Sequence, residues 1–389
     1  MLNLFGFVDQ LVGAEHASVK MVSNRCLHSQ YRFSKCENCF NICPVSAIFA
    51  GKPPVLDSKM CQSCLACLTV CPVGAYAADD AVSSLLNSVN HQESGPLELL
   101  CEKNSKAVTG VTDASRGMVV QGCLAGLGAG AYLGLVASGI EHILVRTDDC
   151  AICRWGSLSA LIETQVNQAK QILESWKKQE AVECVPSLES PVIRPLWKAT
   201  NPPVSRRDLF RMVTLQGKTA LVRTFEESKL DSDHRPNQDH LRVVSAIGRL
   251  PVPNLYDGFG LGEFGFASLS VSNACSACET CVRVCPTGAL TINKNKEETA
   301  FNLKISIRDC IGCEICEHVC NCSAISVNHK PTFAQIFSDP VVILLVGGLV
   351  KCEQCGILMA ARPELHLCQR CEHQSSSIKI TREMKSYRD

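Results

Sequence analysis

Twenty-six of the 389 residues are cysteines, and most of them stand in runs of fixed spacing. Three runs, "CQSCLACLTVCP" (61–72), "CSACETCVRVCP" (275–286) and "CIGCEICEHVCN" (310–321), each place three thiols two residues apart and a fourth three residues further on. Thiolates at that spacing can wrap one face of an iron–sulfur cube, with the loop's backbone N–H groups aimed at its sulfides. A zinc site draws instead on separated cysteine pairs. A fourth run, "KCENCFNICP" (35–44), ends in the same way but has Phe33 where the other runs have their first thiol. The nearest candidate for the missing ligand is Cys26, ten positions before Cys36, reached through a longer loop. A three-iron cluster or ligation by His28 are the alternatives.

The phrases "CPVSAI" (43–48), "CPVGAY" (71–76), "CPTGAL" (285–290) and "CNCSAI" (320–325) close the runs and pair them into two double-loop modules, 26–78 and 275–327. Both modules resemble bacterial-type ferredoxins that hold two 4Fe–4S clusters. The resemblance implies crossed ligation, in which the fourth cysteine of each run serves the neighbouring cluster. On that pattern one C-terminal cluster takes Cys275, Cys278, Cys281 and Cys320, and the other Cys310, Cys313, Cys316 and Cys285. In the N-terminal module one takes Cys61, Cys64, Cys67 and Cys43, and the other Cys36, Cys39, Cys71 and the inferred Cys26.

Eight further cysteines suggest other metal sites. Residues 97–180 alternate short apolar runs with helical patterns, including one amphipathic face at Leu158, Leu161, Ile162, Val166, Ala169, Ile172, Leu173 and Trp176. This reads as a small α/β domain with a parallel sheet. Cys101, Cys123, Cys150 and Cys153 fall at or just past the carboxyl ends of its predicted strands, which converge on one crevice in such sheets. An additional iron–sulfur cluster or zinc would suit them, and a helix start after Cys153 would favour thiolate; four small buried residues is the plainer account. The region is also similar, through its strand–Cys pattern, to the iron–sulfur delta subunit of methyl-viologen-reducing hydrogenase. At the C-terminus, Cys352-x2-Cys355 and Cys368-x2-Cys371 have zinc-ribbon spacing. A rubredoxin-like iron site is the alternative there, and His366 or His373 could replace a thiol. Only Cys184 and Cys322 remain unassigned, and Cys322 reads as a spare buried thiol.

The elements that must position these sites follow. An N-terminal segment (1–25) precedes a dicluster module (26–80), the α/β domain (97–180), a looser Pro-rich region (184–274), a second dicluster module (275–330) and the knuckle (340–375). The expected fold class is therefore α+β multidomain, with ferredoxin-like modules flanking a small parallel-sheet domain and a zinc-ribbon-like end. Within the looser region, "SRRDLFRMV" is a helix candidate through the capping-box spacing of Ser205 and Asp208. "GFGLGEFG" carries Gly260, Gly262 and Gly265 in dinucleotide-motif spacing, but it follows a Pro-rich stretch instead of a strand. The glycines of "GLGAGA" (126–131) are expected to pack on the sheet.

The 38 basic and 38 acidic residues balance, which argues against nucleic acid as a partner. "VVILLVGGLV" (341–350) is too short to span a bilayer, and the Gly/Ala-rich stretch 118–140 reads as a buried helix. The start of the chain carries Asp9 and Glu15 and does not read as a signal peptide, so reduced cytoplasmic thiols are expected. Asp148 and Asp149 read as surface carboxylates, and no small-molecule substrate is evident. The expected function is single-electron relay between redox partner proteins, more an electron carrier than a catalyst. The alternatives are an assembly or maturation factor for a molybdenum or tungsten oxidoreductase, and a thiol/disulfide enzyme built on the four-cysteine crevice.

Overall fold

Short strands frame each cysteine-rich segment of the structure, a computed structural model that describes residues 19–78, 81–89, 95–200, 234–251, 265–337, 340–362, 366–372 and 374. The "SRRDLFRMV" helix candidate with Ser205 and Asp208, the first 18 residues, Gly260, Gly262 and His373 lie outside the described residues. The chain divides into two units, Met1–Phe259 and Gly260–Asp389.

In the first unit, β1 (Lys20–Met21) pairs antiparallel with β4 (Tyr76–Ala77), enclosing a hairpin of β2 (Ile48–Phe49) and β3 (Val55–Leu56). Short helices Asn38–Ile42 and Ala66–Val70 lie within the two cysteine runs. The chain then enters β5 (Leu97–Cys101), β6 (Thr109–Gly110), β7 (Arg116–Val120), β8 (Ile143–Arg146), β9 (Val182–Val185), β10 (Val192–Ile193) and β11 (Leu196–Lys198). Five of these form a wholly parallel sheet in the order β11-β7-β5-β8-β9. Parallel strands are covered on both faces, which is why β5 and β8 read as near-continuous apolar runs. Helix Ser159–Glu174 buries Ile162, Val166, Ala169, Ile172 and Leu173, the expected face. Each such large aliphatic side chain contributes roughly 1.5–3 kcal/mol on burial.

The sheet draws β9 and β11 from beyond the 97–180 span. The stretch read as loose also supplies helix Gln238–Arg249, capped by Asn237, whose side chain accepts the His240 N–H at 2.7 Å. Asn237 also ties this helix to the first module, donating its own N–H to Pro72 O at 3.0 Å and its side-chain amide to Thr69 O at 3.2 Å. On its other side Asp239 accepts the Gly130 N–H at 2.9 Å, at the start of the buried helix Ala129–Ala137. The glycines of 126–131 therefore face this helix and the first module, not the sheet. A Cβ on Gly128 would lie 2.2 Å from Asp239 Cγ, and one on Gly126 would lie 2.7 Å from Leu65 Cβ.

The second unit repeats the framing. There β12 (Ser268–Val271) pairs with β15 (Ile325–Asn328) around a hairpin of β13 (Leu290–Lys294) and β14 (Ala300–Ser306). The apolar run 341–350 becomes β16 (Val341–Lys351), which joins β14 and β17 (Leu358–Ala360) in a four-stranded sheet ordered β13-β14-β16-β17. Among the described residues, no helix is long and apolar enough to cross a membrane.

Candidate iron–sulfur and metal centres

Backbone conformation at the cysteine runs repeats with the sequence. The residues on either side of the second thiol are left-handed in three runs: Ser63 and Leu65 (φ 53° and 65°), Ala277 and Glu279 (56° and 63°), Gly312 and Glu314 (64° and 59°). The third residue after each closing cysteine is left-handed as well, at Ser46, Gly74, Gly288 and Ser323. Most of these positions are not glycine, and holding such a residue there costs on the order of 1–3 kcal/mol. Turns of this kind aim successive N–H groups into one concavity, as a cluster of anionic sulfur requires. The N–H groups of Ala47, Ala75 and Ala324 donate to the sulfurs of Cys43, Cys71 and Cys320, each at 3.2 Å.

In the first unit one pocket is lined by Cys26, Cys36, Cys39 and Cys71 together with His28, Pro54 and Tyr76. Burial raises the Cys26 thiol, and the charges of Cys39 and Cys36 add to it. The Cys71 thiol is pushed up to about 12, chiefly by burial. His28 lines the same pocket and bonds through Nε2 to the Cys36 carbonyl at 2.7 Å, while its buried Nδ1 has no partner. Helix Leu27–Gln30, directly after Cys26, turns the chain so that this thiol faces Cys36 and Cys39, and Glu37 lacks the left-handed turn of its counterparts (φ −125°). The neighbouring group also converges: Cys64 and Cys67 are raised by burial and then by the charges of Cys43 and Cys61.

In the second unit Cys285, Cys310, Cys313 and Cys316 line one pocket. Burial pushes Cys310 up to about 12 and Cys313 to about 11. Cys275 is raised by burial and by the charges of Cys322, Cys278 and Cys320, and Cys281 by burial and by those of Cys275, Cys278 and Cys320. Cys322, read as a spare, stands at this group: its sulfur is 3.7 Å from that of Cys320, and its charge also acts on Cys275. Buried thiols pushed this far up stay protonated at neutral pH unless a cation draws out their protons. All-sulfur donor sets with N–H groups aimed at them fit iron–sulfur clusters, which supply reversible one-electron chemistry when bound.

Cys101 ends the central strand β5, Cys123 follows β7, and Cys150 and Cys153 follow β8, so the crevice sits at the carboxyl edge of three adjacent strands. Burial, followed by the charges of Cys101, Cys64 and Cys150, pushes Cys123 up to about 12. Cys150 goes to about 11, by burial and by Cys101 and Cys153. The helix expected to favour thiolate begins only at Ser159, so the Cys-x-x-Cys does not sit on its N-terminus. Asp148 and Asp149 are not surface carboxylates. Arg146 donates to both oxygens of Asp148 at 2.9 Å, and Asp149 accepts the N–H and hydroxyl of Ser105, each at 2.6 Å.

Behind the crevice is a group that the sequence reading missed. Glu98, on β5, is fully buried and accepts from Arg146 at 2.6 Å, Arg194 at 2.9 Å, the Val111 N–H at 2.7 Å, and the Ser115 hydroxyl. Burial alone would raise its carboxyl, but these hydrogen bonds hold it below its ordinary value. A Cβ on Gly117 would lie 1.9 Å from Arg194 Nη1, so this guanidinium needs a glycine beneath it. The network fixes the loop after Cys101 against the strand that leads to Cys150.

At the C-terminus, Cys352, Cys355, Cys368 and Cys371 have all their sulfurs within 4.8 Å of one another, the one such group among the described residues. The Cys355–Cys368 separation is 3.7 Å, and bonds of 2.3 Å to a tetrahedral zinc would set sulfurs about 3.8 Å apart. The turn is fixed by Gly356 (φ 72°), whose N–H reaches Cys352 O at 2.9 Å. The Cys368 and Cys355 N–H groups pull the Cys352 thiol down to about 6. His366, a possible replacement ligand, is exposed and bonds instead to Glu353 at 3.0 Å.

A family described as "4Fe-4S dicluster domain" matches residues 274–324. No curated protein matches the chain. A ferredoxin-like iron–sulfur domain is thus present in the second unit, and the chain carries 4Fe–4S-binding sequence.

Proposed function

We propose that the chain is an electron relay carrying four 4Fe–4S clusters, with the second dicluster module at 26–80 and a zinc ion at the C-terminal knuckle. The sixteen ligands are those the ferredoxin resemblance implies, with Cys26 as the fourth thiolate beside Cys36, Cys39 and Cys71. One observation carries the reading: left-handed residues recur at the same offsets in runs from both units, although most are not glycine. Strain repeated at matching positions is what a shared ligand cradle would retain.

When bound, the clusters take up and release single electrons. The chain's own residues exclude water, through the buried Cys26, Cys39, Cys67 and Cys71, and direct N–H groups at sulfur. The alternating paired sites give electrons a short route within each module. Redox partner proteins at either end are the expected donor and acceptor.

The test is anaerobic purification with iron, acid-labile sulfide and zinc measured per chain, followed by redox-titrated EPR. About sixteen irons or more and one zinc are expected. Protein without acid-labile sulfide would end this reading.

A further inference from the structure

The crevice of the parallel sheet and the Cys61–Cys67 loop touch. Gly126 brings the turn after Cys123 so close that a Cβ there would lie 2.7 Å from Leu65 Cβ and 3.4 Å from Cys64 O. Gly122 (φ 75°) does the same on the other side of Cys123, with its Cβ position 3.4 Å from Ser63 O. Trp155, only 4% exposed and two residues beyond Cys153, donates Nε1 to Gln62 Oε1 at 2.9 Å. Thr69 donates its hydroxyl to Ala125 O at 3.2 Å, and the buried Gln165 amide bonds to both, at 3.1 and 3.0 Å. Cys123 thus belongs to the crevice and abuts the neighbouring ligand loop.

The crevice sulfurs are also spread more widely than one ion needs. Among the described residues, only the C-terminal knuckle brings three or more of its sulfurs within 4.8 Å of one another. A wider all-thiol set suits a polynuclear centre.

We propose that Cys101, Cys123, Cys150 and Cys153 hold a redox-active iron–sulfur centre that exchanges electrons directly with the site of Cys43, Cys61, Cys64 and Cys67, across the contact between residues 122–126 and 63–65. This rests on the relay reading. The step moves one electron, oxidising one site and reducing the other by one charge; no bond or proton changes hands, and a one-electron donor supplies the electron.

The test uses the full chain, purified without oxygen and reduced with dithionite, in three forms: wild type, Cys101→Ser and Cys61→Ser. Iron per chain should fall in Cys101→Ser. The wild-type spectrum minus that of Cys101→Ser should be a split or broadened crevice signal, which sharpens in Cys61→Ser once the neighbour is gone. Two results overturn the proposal: iron unchanged in Cys101→Ser, or a crevice signal of the same width with and without the neighbouring site. Either can occur with sixteen irons present, which leaves the relay reading standing. Absence of acid-labile sulfide would remove both.

Discussion

Replacing Glu98 with Gln keeps the shape of the side chain and an oxygen for the Ser115 hydroxyl and Val111 N–H, but removes the charge that faces two buried guanidiniums. Arg146 retains Asp148 as a carboxylate partner, whereas Arg194 makes its ion pair with Glu98. All three side chains are fully buried, so solvent cannot take over. Leaving a buried charge without its counter-ion costs about 3 kcal/mol, the low end of the usual range because Gln still accepts hydrogen bonds. With a urea slope of about 3 kcal/mol per molar, the midpoint should fall by about 1 M. Trp155, Trp176 and Trp197 are the chain's three tryptophans and all lie in the first unit, so their fluorescence follows its unfolding. The folded carboxyl ionises below its ordinary value, so its contribution is complete above about pH 4.3 and is lost as the pH falls further. The gap between wild type and Glu98→Gln should therefore stay constant from pH 8 to about 5. A midpoint change under about 0.3 M would refute the reasoning, because the network would then contribute less than about 1 kcal/mol.

Cys26→Ser should lower iron by about one to four per chain and alter one EPR signal, with unchanged iron and spectra counting against Cys26 as the fourth ligand. Cys371→Ala should release the knuckle's zinc and leave acid-labile sulfide untouched; equal zinc in both forms would exclude the site. Cys320→Ser should lose less iron than Cys316→Ser, because the Cys322 sulfur is 3.7 Å from that of Cys320 and can take its place. Equal losses would assign Cys322 no such role.

The candidate sites were legible where their cysteines are local in the chain. Runs such as 61–72 show three of four thiols within seven residues, and Cys26 could be proposed only because so few cysteines lay near enough. The parallel sheet showed through the apolar runs at Leu97–Cys101 and Ile143–Arg146. What sequence did not reveal depends on partners far apart. Glu98 and Arg194 are separated by 96 positions, and nothing local marks either as buried. Helix Gln238–Arg249 was hidden by its polar start, since its buried side chains are only His240, Val243, Ala246 and Ile247. The glycines at 128 and 130 gave no sign of their partner because Asp239 lies more than 100 positions away. The apolar run at 341–350 could be rejected as a span by its length, but periodicity did not mark it as a strand.

Solvent access differs between the two cysteine-rich segments. Cys26, Cys39, Cys67 and Cys71 are buried, whereas Cys278 is exposed, with Thr280 within 3.4 Å of its sulfur. On the proposed assignment, oxygen and chelators would therefore attack the C-terminal pair of clusters first, and briefly aired protein would keep its N-terminal clusters longest. Ageing of a preparation would be ordered, with spectral features fading in the sequence set by how deeply each sulfur sits.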